Sequence, residues 1–285
     1  MTDVSQNSAI RGMISAAYIT GYRIAIIVSG ALALILAQHM GWHVTYLIMS
    51  ALMLIGMITT FLTHEPTTPA KIHHGFYEDV VQPFTEFFTR KSILIGIALI
   101  IVMILYKLGD AFTLSLSTTF FLRDLHFSLT DVGSVNKGIG MGASIAGGIL
   151  AGIWMIRLNL FRALVAFGLL QAFSNLAFMW LAMMGHHFWG LSLAVFLENF
   201  CSGLGNTAFV ALIMTLCNPR FSATQFALLT ALSAIGRVYI GPLAAMMVEH
   251  MGWVWFYFST FLIGVPALIL LVWLHSKINL EAISS

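Results

Sequence analysis

The sequence predicts an all-α, polytopic membrane protein with eight transmembrane helices. Three observations carry that reading. Of 285 residues, 59% are hydrophobic and only 8% charged, with mean hydropathy +0.93, whereas soluble domains carry about 25% charged residues. A spanning helix needs about 20 mainly apolar residues, and eight runs of that kind occur, at 13–38, 42–63, 92–122, 131–156, 161–184, 188–217, 221–249 and 252–274. No stretch alternates with period two over ~10 residues, as the strands of a membrane barrel do.

Most connections between these runs are short: His39–Gly41, Arg157–Leu160, Gly185–His187 and Asn218–Arg220. Short turns make neighbouring helices antiparallel. Runs longer than the minimum imply tilt or extension past the hydrocarbon. The polar start MTDVSQNSAIRG lacks the short apolar core and cleavage site of a signal peptide. The long connection Thr63–Lys91 is different, because it holds Pro66, Pro69, Pro83 and most of the soluble charge. Within it Phe76, Val80, Phe84 and Phe88 recur every four residues, with Glu78, Asp79 and Glu86 between them. That spacing predicts a short interfacial amphipathic helix, interrupted near Pro83.

Positive charge orients membrane proteins, because loops rich in Lys and Arg stay cytoplasmic. Loops on the side of the N-terminus hold Arg11, Lys71, Arg90, Lys91, Arg157, Arg162, Arg220 and Lys277, and the opposite loops hold Arg123 alone. Both termini are therefore expected in the cytoplasm, as an even number of spans requires.

The chain also carries an internal echo. HMGW occurs at 39–42 and again at 250–253, 211 residues later, and Tyr46 and Tyr257 share that offset. Each copy follows an apolar helix with one arginine, Arg23 or Arg237, and precedes a final apolar span. Chance recurrence in so biased a composition is the competing account, and the matched residues and span order favour descent from a repeat. The expected organisation is then 1–63 as the last two helices of an N-terminal bundle, 64–91 as a cytoplasmic linker, 92–275 as a six-helix C-terminal bundle and 276–285 as a cytoplasmic tail. Four further helices are expected upstream of the first bundle.

Six ionisable residues fall inside the spans: Arg23, Lys107, Asp110, Lys137, Glu198 and Arg237. A charge at bilayer depth costs at least ~2.5–3.5 kcal/mol on insertion scales, so such residues face a partner or a watery cavity. Lys107 and Asp110 are three residues apart and share a helix face. Counted from Ser92, Lys107 lies ~22 Å into its span at ~1.5 Å per residue, near mid-depth. A structural ion pair and a charge relay are both open for them. Glu198, Ser202 and Asn206 repeat at intervals of four and form one polar face beside Asn199. Glu198 is either a proton carrier or a hydrogen-bonded neutral strut. The glycines after Asn136–Lys137, in GIGMG at 138–142 and GILAG at 148–152, suit close helix packing. Lys137 either snorkels outward or faces the cavity. Arginine keeps its proton in proteins, so Arg23 and Arg237 must meet an acid, carbonyl groups or an anionic substrate. Pro242 is expected to bend the seventh span.

Other classes are excluded by what is missing. Cys201 and Cys217, 16 residues apart in one apolar stretch, are ~24 Å apart along a helix, beyond disulfide reach. No CxxC or Cys/His cluster suggests a metal, and no cofactor motif is present. The histidines lie mostly in loops and at span ends, where solvated interface residues are expected. A net charge of +2 without a basic cluster gives no ground for nucleic-acid binding. Without an intramembrane His, HExxH or GxSxG, no enzyme is expected.

Several long motifs now bear on family. YKLGDAF at 106–112, VNK at 135–137, LFRAL at 160–164, ENFCSGLGNTAFVALIMTLCN at 198–218 and FSATQFALLTALSAIGRVYIGP at 221–242 resemble the AmpG-type muropeptide permeases, a bacterial branch of the major facilitator superfamily. GYR at 21–23 and GW at 41–42 fit that family's fifth and sixth helices. The resemblance implies an inner-membrane, proton-driven importer of N-acetylglucosaminyl-1,6-anhydro-N-acetylmuramic acid and its peptide forms, serving cell-wall recycling. It implies a substrate and proton path through Arg23, Lys107, Asp110, Asn136, Lys137, Glu198, Asn199, Asn206, Gln225 and Arg237. The cations would meet peptide carboxylates, Asn199, Asn206 and Gln225 would meet sugar hydroxyls and amides, and Asp110 and Glu198 would couple to protons. The family's first four helices have no counterpart here, so a complementary chain supplying them is an expected partner beside substrate, protons and the bilayer. An inert or regulatory membrane fragment of a split or degraded transporter gene is the alternative reading.

Overall fold

The computed structural model describes residues 8–62, 75, 77, 81–89 and 92–277. Lys71, Arg90 and Lys91 of the charge comparison, the interfacial residues Phe76, Glu78, Asp79 and Val80, the pair His73–His74, Pro66, Pro69 and the tail from 278 lie outside the described residues. The helices are α1 (Ser8–Ile27), α2 (Ala33–Leu62), α3 (Gln82–Thr89), α4 (Ile93–Ser115), α5 (Ser117–Thr119), α6 (Leu129–Ser134), α7 (Met141–Met155), α8 (Leu160–Met184), α9 (Phe188–Leu216), α10 (Ser222–Val238) and α11 (Ile240–Lys277). Wider π-helical turns at Val28–Leu32 and Val135–Gly140 join α1 to α2 and α6 to α7.

Among the described residues, six helical stretches are long and apolar enough to cross a membrane. The longest, Pro219–Ser276, has 58 residues, about twice what one crossing needs. It divides at Gly252, which adopts φ 74° and ψ 169° inside α11. Gly41 does the same inside α2, with φ 78° and ψ 162°. That left-handed region is open to glycine at no steric cost. The two copies of HMGW therefore share a backbone bend as well as a sequence. With Ser8–Met40 as a further run, the described residues form eight helical passes, matching the number of apolar runs.

The expected bend in the seventh span falls at Tyr239, between α10 and α11. Pro242 sits in the first turn of α11, where a missing N–H breaks no helical bond. One difference concerns the connection His39–Gly41. It is no open loop but a single-residue bend within α2.

Local capping fixes the other turns. Asn159 accepts from the Arg162 N–H at 3.0 Å, His187 Nδ1 from Gly190 N–H at 3.1 Å, and Ser128 Oγ from Asp131 N–H at 3.1 Å. Each satisfies a backbone donor that a helix start leaves unpaired. Most of the described histidines are exposed, as expected for interface positions, and some also hold local structure. The His186 ring stacks on Phe127 at 4.2 Å with Nδ1 2.7 Å from the Leu125 carbonyl, and His275 stacks on Phe161 at 3.7 Å.

α9 is the central helix. It packs against α7, α8 and α1, while α11 packs against α4 and α8. Close packing of α7 on α9 requires glycines. A side chain at Gly147 would run into the Phe200 carbonyl, and one at Gly203 into the Ser144 carbonyl. α1 joins through small residues: Ala16 lies against Gly152, and the Ser15 hydroxyl donates to the Thr207 carbonyl at 2.7 Å. Without a hydrophobic drive between helices in lipid, such contacts and hydrogen bonds hold a bundle together. Cys201 and Cys217 are buried thiols.

Among the described residues the apolar core forms two large clusters and a small one of Ile19, Val210 and Met214. One large cluster gathers Leu99, Met103, Met155, Leu160, Leu164, Leu212, Leu216, Leu229 and Leu271 near one end of the helices. The other large cluster gathers Phe112, Phe120, Phe121, Phe178, Leu191, Val195, Ile240, Phe256 and Tyr257 near the opposite end. α4, α8, α9 and α11 run through both. What lies between is a polar layer at mid-depth.

Candidate functional site

The middle of α4 turns Lys107 and Asp110 toward α8 and α9. Lys107 Nζ is 3.9 Å from Asp110 Oδ2 and donates a hydrogen bond to Asn206 Oδ1 on α9. Asn206 Nδ2 in turn donates to Ser202 Oγ at 3.2 Å. The ammonium also stands 5.4 Å from the centroid of the Phe209 ring, within cation–π range. Tyr106 stacks on that ring at 5.7 Å and donates its hydroxyl to the Leu164 carbonyl at 3.2 Å.

Asp110 is buried, and its second partner is not legible in the sequence. Gln171, on α8, donates from Nε2 to Asp110 Oδ2. Adjacent residues of α9 thus bear on both members of the pair, one by a bond and one by leaving space. Asn206 takes the lysine, and Gly205 leaves room for the amide that reaches the aspartate, since a Cβ at 205 would overlap Gln171 Oε1. Asn175 and Glu198 complete the layer at 1% and 2% exposure. Among the described residues, Gln171 Oε1, Asn175 Oδ1 and Glu198 Oε1 have no protein hydrogen-bond partner. A small void of about 10 Å³ beside Tyr106, Asp110, Gln171 and Asn175 is the size of one water.

The cations flank this layer. Arg23, Asp110, Glu198 and Arg237 all lie near enough to act electrostatically on Lys107. Arg23 is half-buried and Arg237 exposed, and among the described residues neither makes an ion pair. Asn136 is half-buried and Lys137 exposed in the π-helical turn before α7. Asn199 Nδ2 bonds back to the Val195 carbonyl at 2.9 Å, and its side chain lies against Gly140. Thr113 and Thr260 share a hydrogen bond of 3.0 Å on the side of α11.

Gln225 belongs elsewhere. It is 1% exposed and sits at the start of α10, away from the layer. Its Nε2 donates to Glu86 Oε2 at 2.6 Å and to the Pro83 carbonyl at 2.9 Å, and its Oε1 accepts from Asn218 N–H at 2.6 Å. Asn218 Nδ2 donates to Glu86 Oε1 at 2.8 Å. The four groups clasp α3 to the turn between α9 and α10. α3 starts at Gln82 with Pro83 buried in its first turn, and the upstream part of the expected amphipathic helix lies mostly outside the described residues. Phe84 and Phe88 meet at 5.0 Å on its apolar face.

The bundle of apolar helices thus holds charges of both signs at mid-depth, a Lys107–Asp110 pair on α4 fixed by amides from α8 and α9. The sequence model of the Major Facilitator Superfamily matches residues 2–241. The chain belongs to that superfamily. Among curated superfamily relatives, it is 47% identical over 263 residues to the anhydromuropeptide permease of Escherichia coli K12, covering 92% of this chain and 53% of that protein. It is 32% identical over 272 residues to AmpG 4 of Rickettsia conorii, covering 93% and 65% respectively. A Haemophilus influenzae protein of undefined function is 34% identical over 271 residues, at 92% and 64% coverage. The AmpG-type resemblance read from the motifs is thereby supported. The chain spans about half the length of the first of these relatives.

Proposed function

We propose that this chain forms the C-terminal part of the path of an anhydro-muropeptide permease. In this reading it resides in the bacterial inner membrane with both termini in the cytoplasm, and a proton moves inward with each substrate. The observation that carries the reading is the buried layer in which Lys107 and Asp110 are each held by a neutral amide from a different helix. Fixing two charges at mid-depth costs solvation, and a bundle meant only to anchor would have no use for them. The 47% identity to a named anhydromuropeptide permease supplies the substrate class.

Anhydro-muropeptides combine carboxylate-bearing peptide stems with sugar hydroxyls and amides. Arg23 and Arg237 are the cations left for carboxylates, since Lys107 is already engaged. Lys137 and Asn136 offer a second contact from the π-helical turn. Asn199 and Asn206 offer amides to the sugars. Asp110 and Glu198 are the acids for the proton, and Gln225 serves the clasp rather than the path. A complementary set of helices supplies the opposite wall.

The test is uptake of radiolabelled anhydro-muropeptide into inner-membrane vesicles from a strain lacking its own permease. The vesicles hold this chain together with the remainder of the Escherichia coli permease. Uptake that collapses when the proton gradient is dissipated is the expected result. Absence of uptake by an inserted, assembled pair overturns the reading and returns the chain to the inert or regulatory class.

A further inference from the structure

Three glycines, one from each of three helices, meet beside Asp110. Gly109 on α4, Gly168 on α8 and Gly264 on α11 line the cavity of about 10 Å³, together with Tyr106, Asp110 and Asn175. Two of these glycines let larger groups reach its wall. A Cβ at Gly168 would stand 2.7 Å from Leu268 and 2.9 Å from the Tyr106 ring. One at Gly109 would stand 3.0 Å from the Thr260 carbonyl and 3.5 Å from Asn175 Nδ2. The head of Asn175 therefore lies one residue from the Asp110 backbone, at the cavity.

That head is unsatisfied. Asn175 is 1% exposed, and among the described residues its Oδ1 has no protein hydrogen-bond partner. Buried polar atoms are almost always hydrogen-bonded, to protein or to ordered water. Gln171 Oε1 is unpartnered as well, but it faces Gly205 on α9, which does not line this cavity. The donors nearby are committed. Gln171 Nε2 goes to Asp110, and the Tyr106 hydroxyl goes to the Leu164 carbonyl. A metal ion fits poorly, because the Lys107 ammonium already stands 3.9 Å from the Asp110 carboxylate and would repel it. A neutral molecule with two donors and the volume of one water meets every condition.

We propose that the cavity between α4, α8 and α11 is a binding site for one water molecule, which donates one O–H to Asn175 Oδ1 and the other to the Asp110 carboxylate. Asn175 is the residue that fixes this water. The site gives Asp110 a partner toward α11, while Asn206 draws Lys107 toward α9. The carboxylate thus keeps a donor when its contact with Lys107 lengthens. Neither substrate nor coupling enters this inference, which concerns the chain alone.

The test is X-ray hydroxyl-radical labelling of the full 285-residue chain in detergent, read by mass spectrometry. Radicals formed from a bound water modify the side chains beside it even where bulk solvent does not reach. Leu268 and Tyr106 report on the cavity, and Leu191, buried in the aromatic cluster, is the control. Leu268 is expected to label about fivefold or more faster than Leu191, as a side chain beside a bound water does. Asn175→Leu, which removes the amide at similar size, brings Leu268 and Tyr106 down several-fold, and Asn175→Ser, which keeps a hydroxyl, retains the labelling. Gly264→Ala is an independent variant, since its methyl meets only Ala172 at 3.5 Å and every polar group stays in place. It lowers the labelling by taking the space. Gel filtration confirms that each variant is folded and monodisperse. Leu268 labelling no faster than Leu191 overturns the proposal, and so does labelling that neither Asn175→Leu nor Gly264→Ala reduces. Labelling abolished when sodium replaces choline in the buffer also overturns it, by giving the site to a metal ion. Because labelling needs no substrate, a chain that labels as expected but supports no muropeptide uptake keeps this site and loses the carrier reading.

Discussion

Gly205 lies flush against the side-chain oxygen of Gln171, so a methyl group at 205 would take the space of the amide that binds Asp110. The glycine on α9 thereby decides whether α8 can reach the charge on α4. Gly205→Ala must push Gln171 aside, and overpacking of this kind costs about 1–3 kcal/mol. Thermal unfolding in detergent is expected to report a loss of that order, with muropeptide uptake by the complemented assembly proposed above falling more than tenfold. A methyl group at Gly21 would meet nothing within 4 Å, and Gly21→Ala is expected to leave the melting temperature unchanged or raise it.

Gln171→Leu removes the donor without opening a large cavity. Loss of a buried partner costs about 1–3 kcal/mol, although pairs within membrane proteins average nearer ~0.6 kcal/mol. Gln171→Asn, which is one methylene shorter, is expected to lose transport while largely keeping stability. Equal losses of stability and transport in the two variants would reduce Gln171 to a packing role.

Lys107 and Asn206 form a testable pair. A double-mutant cycle on Lys107→Met and Asn206→Leu is expected to show a coupling of about 0.5–2 kcal/mol, as contacting groups do. Additive effects would mean that the hydrogen bond adds no stability of its own.

Glu198 is buried, with one carboxyl oxygen lacking a protein partner. Glu198→Gln keeps the shape and removes the titration. The expected outcome is uptake that no longer varies with external pH while substrate binding survives. Proton dependence identical to that of the parent removes Glu198 from the coupling path and leaves Asp110.

The clasp around Glu86 holds α3 by three charge-assisted or buried bonds. Glu86→Ala is expected to raise amide hydrogen exchange over 82–89 by at least tenfold without altering exchange in α9. Bonds to charged groups contribute about 1.5–3 kcal/mol each, so the release should be cooperative rather than gradual.

The spans and their charges are readable in the sequence because both signals are local. Apolar runs of bilayer length and a lysine three residues from an aspartate need no knowledge of the partner helix. The repeat is readable too, and the matching bends at Gly41 and Gly252 give it structural content. The arginines fit the repeat less well, since Arg23 and Arg237 are 214 rather than 211 apart, about one helical turn out of step. Gln171 escapes sequence reasoning because a single amide in an apolar helix looks like tolerated noise. The available signal is its depth: with Ser174 and Asn175 it places three polar groups midway along α8, level with Asp110. Gln225 reads as lining the path because it sits in a family motif. Its position four residues past Phe221 already puts it in the first turns of α10, too near the membrane edge for a central cavity.

Between its two greasy ends the bundle keeps a thin polar storey, with phenylalanines roofing one side and leucines flooring the other. In the carrier proposed above, an ion on the middle floor is released only when helices part above or below it, and parting both at once would unmake the core that holds the walls upright. Idle leakage of that assembly is then slow, with traffic passing one door at a time.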